Sequence, residues 1–462
     1  MNDQGTPYVP QRFCLSSGME YIRIYVPEAD TVQVQIMVRA GSRDETPATA
    51  GYAHALEHFF FKGCKGYPNA YAINDTIERN GGSANAITGT KMVSYYASGL
   101  KQYVHSISRV ITRMVTQPTF PAAEWHNERN TVLEELSSYA AEPISWMGDA
   151  MVKAAFGGDQ PMAWSAGGVM SVVATSEVPA LVDYYGKFYD PHKMAVIIGG
   201  GATLDPAEVE RLVEKMPPGK NPPRVPATWG AGELYVGKTV TASARGQQTR
   251  IMLNVPGVPS GTDQASEARE LAFDLLAAVL SCGDSSRLRT MVRHQPGLAS
   301  DMEAFHQAFQ DAGVFTLYMT TSPGMQERAV RFAMGEVARL AAEPPSAAEL
   351  ARARIQIATS ILARTEEATD LVSHYAGRWG AGKELLSPAE LVARHNCVTA
   401  ADVSQAARQV MAGQQQLRLV LVHPADPLTG RNAKGQTLSD AADRIRKAAL
   451  SVPLQRSGMG LA

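Results

Sequence analysis

MPPGKNPPRVPATWGAG, Met216 to Gly232, is the stretch on which the architecture turns. Five prolines fall between Pro217 and Pro226, and Gly230 and Gly232 follow. Proline fixes φ and withdraws a backbone donor, so this stretch reads as an extended linker, not a helix or central strand. The two sides of it repeat one another in element order. The first opens with YIRIYV and TVQVQIMVRAGS, alternating apolar runs that read as strands; the second opens with LYVGKTVTASA and QQTRIMLNVPGV, which read the same way. Toward its end the first runs SEVPALVDYYGKFYDPHKMAVIIGGG, a helix with Ser176 as N-cap, a turn and a strand; the second runs TAADVSQAARQVMAGQQQLRLVLVHP in the same order. A duplicated unit follows.

Helical stretches such as HSISRVITRMVTQ and MQERAVRFAMGEVARLAAE fill the space between these landmarks. The expected fold class is therefore α+β: two homologous domains, each a mainly antiparallel sheet with helices packed on one face. The boundaries read as domain 1–216, linker 217–232, second domain 233–425, and a C-terminal helix and tail over 426–462, the helix being SDAADRIRKAAL.

Composition narrows the function. With 45% apolar and 19% charged residues in 462, the chain can bury large cores. Its 43 basic and 45 acidic residues give a net charge of −2, which argues against a nucleic-acid or anionic-membrane binder. The most apolar window, Leu271–Leu280, carries Asp274 and falls far short of the ~20 residues that span a bilayer. Four scattered cysteines without a C-x-x-C fit a reducing compartment. The opening MNDQGTPYVPQRFC has neither the basic nor the apolar part of a leader. A cytoplasmic, bacterial protein is the expectation.

One segment carries chemistry: GYAHALEHFFFKG, with His54, Glu57 and His58. On a helix, residues four apart project from one face, so the two imidazoles can share a metal ion, with Glu57 alongside. Two neutral imidazoles favour zinc, copper or nickel, and zinc is common where hydrolysis is wanted. The bland alternative is a pair of surface histidines beside a glutamate. A catalytic zinc needs a third protein ligand. The acidic helix AAEWHNERNTVLEELSSYAAEP offers Glu128 and Glu135, almost two full turns apart on one face, while Glu134 points about 100° away and reads as solvated. Glu135 is the preferred ligand, with Glu128 behind it as an electrostatic partner.

The chain resembles the pitrilysin/insulinase peptidases, the inverzincins, and in particular the zinc-bearing chain of their two-chain processing-peptidase-like members. Their pattern is H-x-x-E-H, 76 residues, then a ligand Glu with another Glu seven before it; here residues 59 to 134 separate His58 from Glu135, and Glu128 completes the pair. FFFKGCKGYP, IERNGGSANAITGTKMVSYY, FYDPHKMAVIIGG and SCGDSSRLRTMVRHQPGLAS are similar to the family as well. The resemblance implies a zinc endopeptidase with one Zn²⁺ per chain, held by His54, His58 and Glu135, with Glu57 as general base. It also implies that Asn85 and Ala86 lie on a sheet edge that binds an extended peptide; Asn85 as a turn-shaping residue is the alternative.

One departure matters. Family members that act alone or as homodimers carry an Arg-x6-Tyr pair in a second-type domain, whereas here Arg293 is followed seven residues later by Ser300. Either another hydroxyl substitutes, or the chain works in a heterodimer with a homologous partner that lacks the zinc motif and carries the Arg-x6-Tyr pair. A homodimer is the alternative assembly. Substrates would be unfolded or short peptides, in maturation or leader removal. The competing function is a non-catalytic scaffolding subunit, which would not need the intact ligand set.

Overall fold

The computed structural model describes residues 7–158, 160–213, 216–231, 234–240, 248–294, 297–322, 324–424 and 436–454. The loop expected after His423 lies almost wholly outside them, as do the end of TVTASA and the final tail. Strands β1 (Gln11–Cys14), β2 (Glu20–Tyr25) and β3 (Thr31–Val38) come first. Helices α1 (Tyr52–Phe60) and α2 (Ala70–Glu78) precede β4 (Ser83–Thr88) and β5 (Val93–Leu100). Helices α3 (Val104–Thr116), α4 (Ala122–Ala141), α5 (Pro143–Phe156), α6 (Met170–Ala174) and α7 (Val178–Phe188) lead to β6 (Met194–Gly200) and α8 (Pro206–Leu212).

After the linker come β7 (Tyr235–Val240), β8 (Thr249–Gly257), α9 (Gln264–Ser281), α10 (Arg287–His294), β9 (Ala299–Ala308) and β10 (Gly313–Thr321). Helices α11 (Gln326–Ala342), α12 (Ala347–Ala363), α13 (Ala368–Gly380), α14 (Pro388–Cys397) and α15 (Ala400–Ala412) follow, then β11 (Arg418–Pro424) and α16 (Leu438–Leu450). Helix α7 starts a residue later than Ser176 implies. Glu177 is its N-cap, because the Ser176 hydroxyl is spent on the Val173 carbonyl at 2.6 Å, at the end of α6.

Two sheets result, in the order β1-β2-β6-β3-β5-β4 and β7-β11-β8-β10-β9. Each is antiparallel except for one parallel pair, β2 with β6 and β7 with β11. The α+β class and the duplication are thus borne out. A cut at the linker divides the chain linearly, but its compact units interleave. The first comprises 1–141, 164–225 and 362–388; the second comprises 142–163, 226–361 and 389–462.

Burial explains the exchange. In the first unit β3 sends Val32, Val34, Ile36 and Val38 into a core with α1, α3 and α7. Its neighbours are apolar on the other face as well: Ile22, Ile24, Ala195 and Ile197 pack against Leu371, Val372, Tyr375, Ala376 and Trp379 of α13. A strand apolar on both faces must be covered on both, so a helix from the second half of the sequence lies on the face away from α1. Gln33 reaches Ser373 of that helix, and Arg39 stacks on the Trp379 ring with 4.0 Å between guanidinium and centroid. In the second unit α5, from the first half, plays the same part: Met147, Ala150 and Ala154 pack on Val420 and Val422. Where the patterning implies helices on one face, each sheet carries one more helix on the other.

Candidate metal centre

Helix α1 is nearly all core: Tyr52, Ala53, His54, Ala55, Leu56, Phe59 and Phe60 are buried. Its start is fixed from outside, since Gly51 at the N-cap has no side chain to offer. Instead the buried carboxylate of Glu45 accepts from the Gly51 and Ala53 amides, both at 2.8 Å. Gly51 also takes φ +110°, and a Cβ on Gly168 would meet its Cα at 2.1 Å. Only paired glycines let the 167–168 backbone come so close to the turn that carries His54.

Helix α4 packs against α1 through Trp125, whose ring centroid lies 5.2 Å from that of Phe59, and through Val132 and Leu136 in the same core. Glu128 and Glu135 flank that buried stripe and meet the histidines; Glu134 is exposed. Nε2 of His58 lies 3.3 Å from Nε2 of His54. Glu135 closes on both, with Oε2 3.1 Å from His58 Nε2 and Oε1 3.7 Å from His54 Nε2. Glu57 belongs to the same cluster: its carboxylate and the two imidazoles offer ligand atoms all within 4.8 Å of one another. Two carboxylates therefore compete for one place near the rings, and their partners differ. The Thr88 hydroxyl of β4 donates to Oε2 of Glu57, while the contacts of Glu135 are the imidazoles.

The far side of the His58 ring fixes its proton. His58 Nδ1 is 2.8 Å from Glu128 Oε1, a carboxylate that can only accept, so this nitrogen carries the hydrogen. Among the described residues His54 Nδ1 is buried without a hydrogen-bond partner. In the neutral ring the His58 Nε2 lone pair then faces His54 Nε2 and the Glu135 carboxylate. Two imidazoles with one carboxylate are a donor set that suits zinc.

Burial, helped by the neighbouring His58, lowers the His54 pKa to about 4. Burial would also lower His58, but the hydrogen bond and charge of Glu128, with Glu57 and Glu135, outweigh it and raise it. For Glu128 burial pushes upward, and the hydrogen bonds from His58 and Lys62 overcome it, holding the carboxyl below its usual range. Burial raises Glu57 against the opposing Thr88 hydrogen bond.

Thus His54, His58, Glu135, Glu128 and Glu57 come together. Asn85 and Ala86 lie on β4, the edge strand of the first sheet, three and two residues before Thr88. Asn85 is exposed, while Ala86 points inward and its amide donates to Asn85 Oδ1 at 2.8 Å. In the second unit Arg293 lies in α10 and Ser300 in β9, where the Ser300 hydroxyl is 3.4 Å from the Thr320 carbonyl. Sequence reasoning missed Thr88, Glu45, the Gly167–Gly168 pair and Lys62. The last was readable, since 54, 58 and 62 continue one four-residue stripe.

Among the described residues no helix is long and apolar enough to cross a membrane. Residues 22–163 match the insulinase family of peptidases, family M16, and residues 177–357 match the M16 peptidase inactive domain. An uncharacterised zinc protease of Rickettsia bellii is 26% identical over 86% of this chain and 94% of its own length. One from Bacillus subtilis is also 26% identical, over 89% of this chain and 98% of its own. A crystal structure of a protease from Helicobacter pylori superposes with a TM-score of 0.77 at 18% identity, covering 91% of this chain and all of that one, which shows a shared fold. With two domain matches in tandem over most of its length, the chain belongs to the insulinase (M16) peptidase family.

Proposed function

We propose that the chain is a zinc-dependent endopeptidase for unfolded or short peptides, the catalytic subunit of a heterodimer. The observation that carries this reading is the convergence of His54 Nε2, His58 Nε2 and the Glu135 carboxylate, with Glu57 beside them. His54, His58 and Glu135 would hold one zinc. When bound, zinc supplies a Lewis acid that polarises a carbonyl and acidifies water. Glu57 accepts the proton of the attacking water at Oε1, since Thr88 occupies Oε2, and returns it to the departing amine. Glu128 acts through His58, orienting that ring.

The substrate pairs with the free edge of β4 at Asn85 and Ala86. Such pairing uses main-chain bonds and so accepts many sequences. Ser300 lacks the phenol of the family's Arg-x6-Tyr pair, which is why a homologous partner chain belongs in the reading. The four free cysteines and the bacterial relatives favour a bacterial cytosolic setting.

The test is to purify the chain alone and with a partner that carries Arg-x6-Tyr, then measure zinc content and cleavage of an unstructured fluorogenic peptide. One zinc per chain, weak cleavage alone and strong cleavage with the partner are expected. Absence of zinc would remove the hydrolase, and full activity alone would remove the heterodimer.

A further inference from the structure

His54, His58 and Lys62 form a ladder of nitrogens on α1 and the turn that ends it, where the Lys62 amide reaches the Phe59 carbonyl at 3.0 Å. Opposite stand the carboxylates of α4. Glu135 meets His54 and His58, and Glu128 meets His58 and Lys62. Lys62 is the last rung, its Nζ 2.6 Å from Oε2 of Glu128. It is not a loose surface pair, because the Glu128 side chain is only 13% exposed and Lys62 20%.

One hydrogen bond does not immobilise a carboxylate. The terminal torsion of a glutamate is broad, so a Glu128 held only at Oε1 could rotate and carry the imidazole with it. A second anchor on Oε2 removes that freedom. Resting on the zinc reading above, we propose that Lys62 is a positioning residue of the metal centre. By clamping Oε2 of Glu128 it keeps Oε1 on Nδ1 of His58, and so keeps Nε2 of that ring aimed at His54 and Glu135. It touches neither metal nor substrate. Its effect passes through Glu128, whose loss of one partner loosens the ring.

The test is zinc affinity by competition with a chromophoric chelator, for the full chain and for Lys62→Met, Lys62→Arg, Glu128→Gln and the Lys62→Met/Glu128→Gln double variant. Removing an outer partner of a metal ligand typically costs 10- to 100-fold in affinity, and a residue one step further out should give about 10-fold. Lys62→Arg should restore most of it, and Lys62→Met should add nothing once Glu128 is already Gln. Equal affinity of Lys62→Met and the natural chain, or an undiminished loss in the Glu128→Gln background, overturns the proposal.

A metal-free readout separates this from the zinc reading. With ¹⁵N-histidine labelling, at a pH where the ring is neutral, His58 should be the Nδ1–H tautomer in the natural chain and a tautomer mixture in Lys62→Met. If the natural chain takes up no zinc, the endopeptidase reading fails. The ring signal still decides on Lys62, and an unchanged tautomer overturns its role.

Discussion

In the first unit the strands β2-β6-β3-β5-β4 lie side by side; in the second, β7-β11-β8-β10-β9 repeat that order, including the single parallel pair. Each sheet receives one helix from the other half of the sequence, α13 in the first unit and α5 in the second. The helices that follow β3 and β8 then part company. α1 is short and presents two histidines and a glutamate toward α4. α9 has 18 residues, and Leu271, Phe273, Leu275, Leu276, Val279 and Leu280 sink into its core. A sheet covered by helices asks only for apolar residues at the right period, which many sequences satisfy. A metal centre asks for particular atoms at particular points, and among the described residues the candidate cluster lies in the first unit. The two units share their strand order, while the candidate metal cluster stands in the first.

The sharpest way to break the comparison is to disable the first unit with the least structural change. Glu57→Gln should retain zinc and lower kcat by about 10²- to 10⁴-fold, the range of general-base catalysis. Unchanged peptide turnover would remove Glu57 from that role.

His58→Ala should weaken zinc binding by more than about 100-fold, beyond what losing an outer partner costs. His395→Ala, which removes a buried histidine of the second unit, should leave zinc content untouched. Metal analysis of both variants checks the contrast, and zinc lost from the second would blur the two units.

Thr88→Val removes the hydroxyl on Glu57 Oε2. A hydrogen bond to a charged group contributes about 1.5–3 kcal/mol, so kcat should fall by about 10- to 100-fold at constant zinc occupancy. Steady-state kinetics with metal analysis would show it; a fall in zinc instead would make Thr88 a structural support.

The second unit predicts a purely structural effect. The Arg287 hydrogen bond, with those of the Ser346 amide and hydroxyl and the Arg287 charge, holds Glu349 at about 2, against an ordinary value near 4.5. A depressed carboxyl contributes stability that is present above its unfolded pKa and lost as pH falls toward its folded one. Arg287→Met should therefore flatten the fall of Tm between about pH 4.5 and pH 2, with zinc binding unchanged. An identical acid limb in both proteins would contradict it.

Much of this was legible in the sequence, for identifiable reasons. Strands such as TVQVQIMV advertise themselves by alternation, and the proline-rich linker by its backbone chemistry. The spacing of His54 and His58, and of Glu128 and Glu135, is local to two helices and could be read from helical geometry. Helix exchange was hidden, because α5 and α13 carry apolar faces that do not say which sheet they cover. Thr88 was hidden too, since its role depends on how β4 lies beside α1, a tertiary fact. Glu45 looked like one more acidic residue in a loop, and only burial beneath the start of α1 makes it a cap. Replacing it with Gln would set an amide donor against one of two backbone donors, a loss of about 1–3 kcal/mol readable in Tm.

The most direct test of the central claim is anomalous diffraction at the zinc edge from crystals of the zinc-loaded chain. One strong peak is expected in the first unit, bonded to Nε2 of His54, Nε2 of His58 and a carboxylate oxygen of Glu135 at about 2.0–2.2 Å, with Glu57 unligated and on Thr88. A peak ligated without Glu135, or none between the two histidines, would contradict it.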